Sequence, residues 1–137
     1  MIKQIWINLP VKDVAKSKEF FTQIGFVLNP GPGNSDDSAS FLIGEKNVVL
    51  MLFQEAMFKT FTCHEISDTK QGTEILFSID AESTQEVDEL AVKVEQAGGT
   101  LYGKSKSNQG WMYGCGFVDL DGHRWNVLHM EMSKMPK

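Results

Sequence analysis

The order of secondary-structure patterns repeats along the chain, and this repeat constrains the fold more than any other feature of the sequence. Residues 2–9 alternate apolar and polar side chains, which predicts a strand, and residues 13–24 have helical spacing. Three short extended segments follow, and the same order recurs in the second half. Gly25 and Gly98 close the two predicted helices at corresponding places. The sequence therefore predicts two βαβββ modules.

The first half carries a local signal for each of its elements. Ile7 and Leu9 share one face of the first strand, and Asp13 is a good N-cap for the helix that follows. Apolar runs predict two further strands at 39–43 and 48–53, joined by a tight turn. These signals agree with one another and define one module.

The second half begins with the same two elements. Phe77 and Ile79 lie on one face of a strand predicted over 74–80. Ser83 and Glu86 have the spacing of a capping box, which predicts that a helix begins after Ser83.

The remainder of the second half alternates between extended and polar segments. Residues 100–102 are predicted to be extended and residues 104–110 to form a polar loop. Strands are predicted at 111–119 and 125–130, with Asp121-Gly122 as the turn between them.

The predicted elements place the chain in the α+β class. Module 1 is expected at about 1–53, a connector at about 54–72 and module 2 at about 73–132, all within a single domain over 1–137. A short amphipathic helix is expected at the start of the connector. We expect the two modules to pair into one curved, half-open barrel-like sheet, with the helices on its outer face and a concave cleft inside.

Composition excludes several classes of function. Thirteen Lys and Arg residues against eighteen Asp and Glu residues give a net charge of −5, which disfavours binding to nucleic acid or an anionic membrane. The longest apolar run, 48–53, is far shorter than the roughly 18 residues that span a bilayer. Two cysteines do not make a disulfide framework or a paired zinc motif. With no targeting signal visible, we expect a cytoplasmic protein.

Several runs of residues resemble the vicinal oxygen chelate superfamily, which includes glyoxalase I, bleomycin resistance proteins and extradiol dioxygenases. These runs are Asn8–Asp13, Ser17–Phe21, Ile24–Phe26, Ala97–Gly99 and Phe117–Trp125. The resemblance covers nearly the whole chain and is greatest to small bacterial proteins labelled as predicted lactoylglutathione lyases. It implies the two-module fold and a homodimer.

The resemblance also implies a divalent metal in the cleft. The family places His, Gln or Glu on the first strand of each module and Glu on the last strand of each. The corresponding positions here are Trp6, Glu74, Asn126 and, in the first module, one of Val49, Leu50 and Met51. Only Glu74 is a strong ligand, whereas such a site needs at least three good donors. We therefore expect a degraded metal site and no cofactor.

Five residues are candidates for binding a small molecule: Trp6, Asn8, Glu74, Tyr113 and Asn126. Glu74 is also the candidate catalytic residue, as a general base, with a solvated glutamate at the strand end as the alternative. Asn126 either binds a ligand or pairs with the backbone or Glu74. Trp6 either lines an open pocket or fills the place of the metal, and Tyr113 either lines the pocket or packs in the core.

The function expected from these observations is binding of a small molecule in the cleft, and the sequence leaves open whether the protein is an enzyme. One alternative is an active metal-dependent lyase or dioxygenase of the glyoxalase type, which would need a divalent metal. Another is a resistance protein that sequesters an antibiotic.

Overall fold

The computed structural model describes residues 1–136, and the chain divides into two compact units, Met1–Asp68 and Thr69–Lys137. The boundary between the units lies within the predicted connector. Each unit contains one four-stranded sheet and one βαβββ module. The predicted α+β fold with two such modules is confirmed.

The first unit contains module 1 and the connecting helix. Its elements are β1 (Trp6–Val11), α1 (Val14–Gln23), β2 (Val27–Leu28), β3 (Ser38–Ile43), β4 (Val48–Gln54) and α2 (Glu55–Thr62). The strand order is β1-β4-β3-β2, with β1 parallel to β4 and the other pairs antiparallel. The predicted helix at the start of the connector is confirmed as α2.

The core of module 1 lies between α1 and one face of its sheet. Asp13 caps the helix, because its side chain accepts a hydrogen bond of 3.0 Å from the backbone N–H of Lys16. The ring centroids of Phe21 on α1 and Phe41 on β3 are 5.9 Å apart. The fully buried residues of this layer are Val11, Phe20, Phe21, Phe41, Leu50 and Leu52.

The second unit repeats this arrangement. Its elements are β5 (Leu76–Asp80), α3 (Thr84–Gln96), β6 (Thr100–Asn108), β7 (Met112–Val118) and β8 (Arg124–Met130), followed by a 3₁₀ turn at Met132–Lys134. The strand order is β5-β8-β7-β6, with β5 parallel to β8. The Ser83 hydroxyl accepts from the N–H of Glu86 at 3.1 Å, which confirms the predicted N-cap of α3.

Trp125 is the centre of the module 2 core. Its ring stacks on Phe117 with the centroids 6.1 Å apart and lies 4.7 Å from the centroid of Phe77. Val87 and Val94 are fully buried on α3. The helix-facing side of this sheet is therefore aromatic and aliphatic.

The buried carboxylate of Asp119 organises the turn between β7 and β8. It accepts hydrogen bonds of 3.0 Å from the backbone N–H groups of Asp121 and His123, and one of 3.1 Å from Nε1 of Trp125. Burial raises the pKa of Asp119. Gly122 has a φ of 90°, which glycine adopts without strain.

Three predicted strand boundaries are wrong. β1 runs from Trp6 to Val11 instead of over residues 2–9, and its backbone pairing with β4 continues through Pro10. β5 begins at Leu76, so Glu74 and Ile75 precede the strand instead of opening it. β6 continues to Asn108, through the segment predicted as a polar loop. Its polar side chains did not signal a strand, but β6 is an edge strand whose backbone pairs with β7 while many of its side chains face solvent.

No helix in residues 1–136 is long and apolar enough to cross a bilayer.

The Asp119→Asn substitution tests whether the Asp119 carboxylate stabilises the turn between β7 and β8. Asn keeps one acceptor oxygen but presents an NH₂ group in place of the other, so one of the three donors loses its acceptor. We expect Asp119→Asn to lower the free energy of unfolding by about 1–3 kcal/mol, measured by urea denaturation. The control is Asp36→Asn at an exposed aspartate, expected to stay within about 0.5 kcal/mol. Equal stability of the two variants would contradict the role of Asp119.

Candidate functional site

The face of the module 2 sheet that points away from α3 carries a group of polar side chains. Residues alternate between the two faces of a strand, and Trp125 and Val127 are buried on the helix side. Arg124 and Asn126 therefore lie on the other face of β8. Ser78 on β5 is in register with Asn126 and shares this face. We call this surface the open face of module 2.

Tyr102 lies across the open face of module 2. Its ring lies directly over Gly116 on β7, so closely that a Cβ atom at Gly116 would overlap it. Its hydroxyl donates a hydrogen bond of 3.1 Å to Oδ1 of Asn126, which is in register with Gly116 on the next strand. The absence of a side chain at position 116 is what allows an aromatic ring from β6 to reach β8.

Arg124 completes this cluster. Its guanidinium carbon lies 4.7 Å from the centroid of the Tyr102 ring, which is cation–π distance. The sequence contains no other arginine. Tyr102 is 44% exposed and Arg124 is half-buried, so the cluster is accessible from the open face. Tyr102, Arg124 and Asn126 form a charged aromatic group with hydrogen-bonding capacity, here called the Arg124 cluster.

The family resemblance assigns two positions in module 2, Asn126 and Glu74, to metal ligands. Their surroundings in the structure differ. Asn126 is paired with Tyr102, a partner that the sequence did not suggest. Glu74 is exposed and lies two residues before β5. No ion pair involves Glu74 in the described part of the chain.

The corresponding positions in module 1 divide between the two faces of its sheet: Trp6, Val49 and Met51 lie on the face away from α1, whereas Leu50 is buried in the core. Trp6 is in register with Val49 and Asn8 with Met51, and Leu9 faces the core on the other side. The Trp6 side chain is exposed, with a relative accessibility of 54%. Besides aromatic and aliphatic surface and the Asn8 amide, this face carries Ser40, whose hydroxyl accepts a hydrogen bond of 3.0 Å from Nδ2 of Asn29.

Tyr113 lies on the opposite face of the module 2 sheet from the Arg124 cluster. Its hydroxyl donates a hydrogen bond of 2.7 Å to Oδ1 of Asp88 on α3. That hydrogen bond, followed by burial and the negative charge of Asp88, raises the pKa of Tyr113. Tyr113 joins β7 to the helix, and the structure does not bring it together with Asn126.

The comparisons with known proteins agree with this architecture. A family model described as "Bleomycin resistance protein-like N-terminal" matches residues 3–36. The chain is similar to a hypothetical protein from S. aureus, with 32% identity over 94% of each chain and a TM-score of 0.82. The chain belongs to the bleomycin resistance protein-like family. No match was found among curated proteins.

Two more distant structures share the fold. A glyoxalase-related enzyme from Fulvimarina pelagi is 16% identical, with a TM-score of 0.79 and coverage of 93% of this chain and 88% of the other. A lactoylglutathione lyase from Agrobacterium tumefaciens is also 16% identical, with a TM-score of 0.67 and coverage of 93% and 92%. At these identities the likeness shows the fold alone.

The family's divalent metal can be tested against the side chains at the corresponding positions. The indole N–H of Trp6 is only a donor, and the thioether of Met51 is a weak ligand for hard divalent ions. The side-chain oxygen of Asn126 already accepts from Tyr102. Residues 1–136 contain no group of three or more His, Cys, Asp or Glu that could hold an ion. These residues do not fit the metal.

Sequence reasoning missed two members of the Arg124 cluster as site residues. Arg124 precedes Asn126 by two positions on a predicted strand, so alternation could have placed both on one face. No local signal predicts that Tyr102 crosses β7, because that contact depends on Gly116, which is distant in the sequence.

A double-mutant cycle tests the hydrogen bond between Tyr102 and Asn126. We expect Tyr102→Phe and Asn126→Ala to be coupled by about 0.5–1.5 kcal/mol in the free energy of unfolding, because each removes the same hydrogen bond. The matched control combines Tyr113→Phe with Asn126→Ala. These residues lie on opposite faces and share no partner, so their effects should add within about 0.5 kcal/mol. Coupling in the control cycle of the same size would refute the assignment.

Proposed function

We propose that this protein binds a small organic molecule at the open face of module 2, without a resident divalent metal. The observation that carries the proposal is the Arg124 cluster. It supplies charge, a hydrogen-bonding amide and an exposed aromatic ring on a face that the helix leaves uncovered. Sites for small molecules combine a few fixed polar groups with apolar surface, and Leu76, which is 50% exposed, provides apolar surface on the same face.

The donor chemistry supports the metal-free part of the proposal. A metal-dependent lyase or dioxygenase of this family would use Glu74 as the catalytic residue together with further ligands. The family positions supply Trp6, Asn126 and an apolar residue instead. Without metal ligands, the side chains of this face can still bind a small molecule through hydrogen bonds and charge.

Two relatives suggest which reagents test the alternatives. One similar structure is a lactoylglutathione lyase, and the family model is named for bleomycin resistance. Formation of S-lactoylglutathione therefore tests the lyase hypothesis, and bleomycin tests the hypothesis of a sequestering protein. Assembly as a homodimer stays a prediction from the resemblance.

The proposal is tested by metal titration of the untagged protein. We expect no stoichiometric binding of Zn²⁺, Ni²⁺ or Mn²⁺ by calorimetry, and no formation of S-lactoylglutathione from methylglyoxal and glutathione when these ions are added. Binding of one ion per chain that is lost in Glu74→Gln would contradict the proposal, because it would make Glu74 a ligand. The matched control is Glu82→Gln, since Glu82 is also exposed. A rise in melting temperature with equimolar bleomycin would favour the sequestering protein.

The Trp6→Ala substitution tests whether Trp6 lines an open pocket or fills a closed cavity. A buried aromatic side chain typically costs about 3–5 kcal/mol on truncation to Ala. Trp6 is 54% exposed, so we expect Trp6→Ala to lower the free energy of unfolding by about 1 kcal/mol, measured by urea denaturation. Phe41→Ala is the buried control within the same module and should show the larger loss. Similar losses in both variants would mean that Trp6 fills a closed space.

A further inference from the structure

We propose that the Arg124 cluster is a recognition site for a carboxylate group of the small molecule. This inference deepens the proposed function and rests on it, because it names the chemical class of the ligand that binds the same face. It requires three properties of Arg124: an available charge, a fixed orientation and a geometry that fits a carboxylate.

The charge of Arg124 is available because no acidic side chain neutralises it. The chain has eighteen Asp and Glu residues, and none of the ion pairs described within residues 1–136 involves Arg124. The interaction that the structure gives the guanidinium is the cation–π contact with Tyr102. A contact of this kind does not supply acceptors for the N–H donors, so these remain for a ligand.

The orientation of Arg124 is fixed by contacts that lead back to the sheet. Tyr102 contacts Gly116 below its ring and donates its hydroxyl proton to a hydrogen bond with Asn126, so the ring that Arg124 contacts is held at two points. A side chain that is already ordered loses less entropy when it binds. The half-buried position also reduces screening of the charge by water.

The geometry favours a carboxylate over other anions. The planar guanidinium donates two parallel N–H bonds that match the two oxygens of a carboxylate. The NH₂ group of Asn126 and the hydroxyl of Ser78 lie on the same face and are further donors for such a ligand. Arg124 is the one cation of the cluster itself, and in a protein of net charge −5 it suits one negative charge better than the two of a phosphate monoester.

The test uses sodium benzoate as the probe and benzamide as its neutral isostere. Both are titrated at constant ionic strength while the Arg124 Nε–H resonance is followed by NMR. We expect benzoate to shift this resonance and to bind at least tenfold more tightly than benzamide. Charged hydrogen bonds of this kind correspond to a change in Kd on the order of ten- to a hundredfold.

Variants assign the effect to Arg124. In Arg124→Gln, benzoate should bind at least tenfold more weakly while benzamide is unchanged, followed by chemical shifts elsewhere on β8. Arg124→Lys keeps the charge but loses the planar fork, and we expect it to weaken benzoate as well. Lys93→Gln removes an exposed cation from α3 and should leave the benzoate Kd within twofold. The amide spectrum of each variant verifies that it is folded.

Three outcomes would overturn the inference: equal binding of benzoate and benzamide, an unchanged benzoate Kd in Arg124→Gln, or tighter binding of inorganic phosphate than of benzoate. The proposed function can fail separately. If one metal ion binds per chain but benzoate still requires Arg124, the metal-free function is wrong and the carboxylate site stands. If no metal binds and the benzoate Kd is unchanged in Arg124→Gln, the proposed carboxylate site is wrong.

Discussion

One helix covers one face of a four-stranded sheet in each module, and this constraint determines where chemistry can occur. The helix-facing residues of module 2, such as Trp125 and Phe117, are buried and apolar, because that face must exclude water. The other face has no helix of its own module over it. Polar side chains can be placed there without the cost of burying an unpaired group. The core and the candidate site are thus two sides of the same strands.

The open face of module 2 carries a hydrogen-bonded cluster at a position that the family resemblance assigns to a metal ligand. Asn126 accepts a hydrogen bond from Tyr102, and the Tyr102 ring makes a cation–π contact with Arg124. A metal would act on a ligand as a Lewis acid, whereas this cluster offers a permanent cation and directed hydrogen bonds. The proposed carboxylate ligand follows from that difference in chemistry.

Helix boundaries were the most predictable features, because they depend on residues that are close in sequence. Asp13 and Ser83 each cap the helix predicted from them, since an N-cap bond joins residues three positions apart. The edge strand β6 was predicted only in part, because its pairing with β7 involves backbone atoms and leaves little pattern in its side chains. The start of β5 was placed two residues early for a related reason: apolar alternation continues through Ile75, whereas backbone pairing with β8 begins at Leu76.

The candidate site was likewise predictable from the sequence only in part. Sequence alone determined the repeat of two βαβββ modules, the faces of the strands and, through the family resemblance, Asn126 as a position of interest. Only the tertiary structure decided what Asn126 contacts, that Tyr113 belongs to the helix side, and that Arg124 makes a cation–π contact with Tyr102. The physical reason is the separation along the sequence of the residues that interact. Periodicity and helix caps depend on residues a few positions apart. The contact of Tyr102 with Asn126 spans three strands and depends on the absence of a side chain at Gly116.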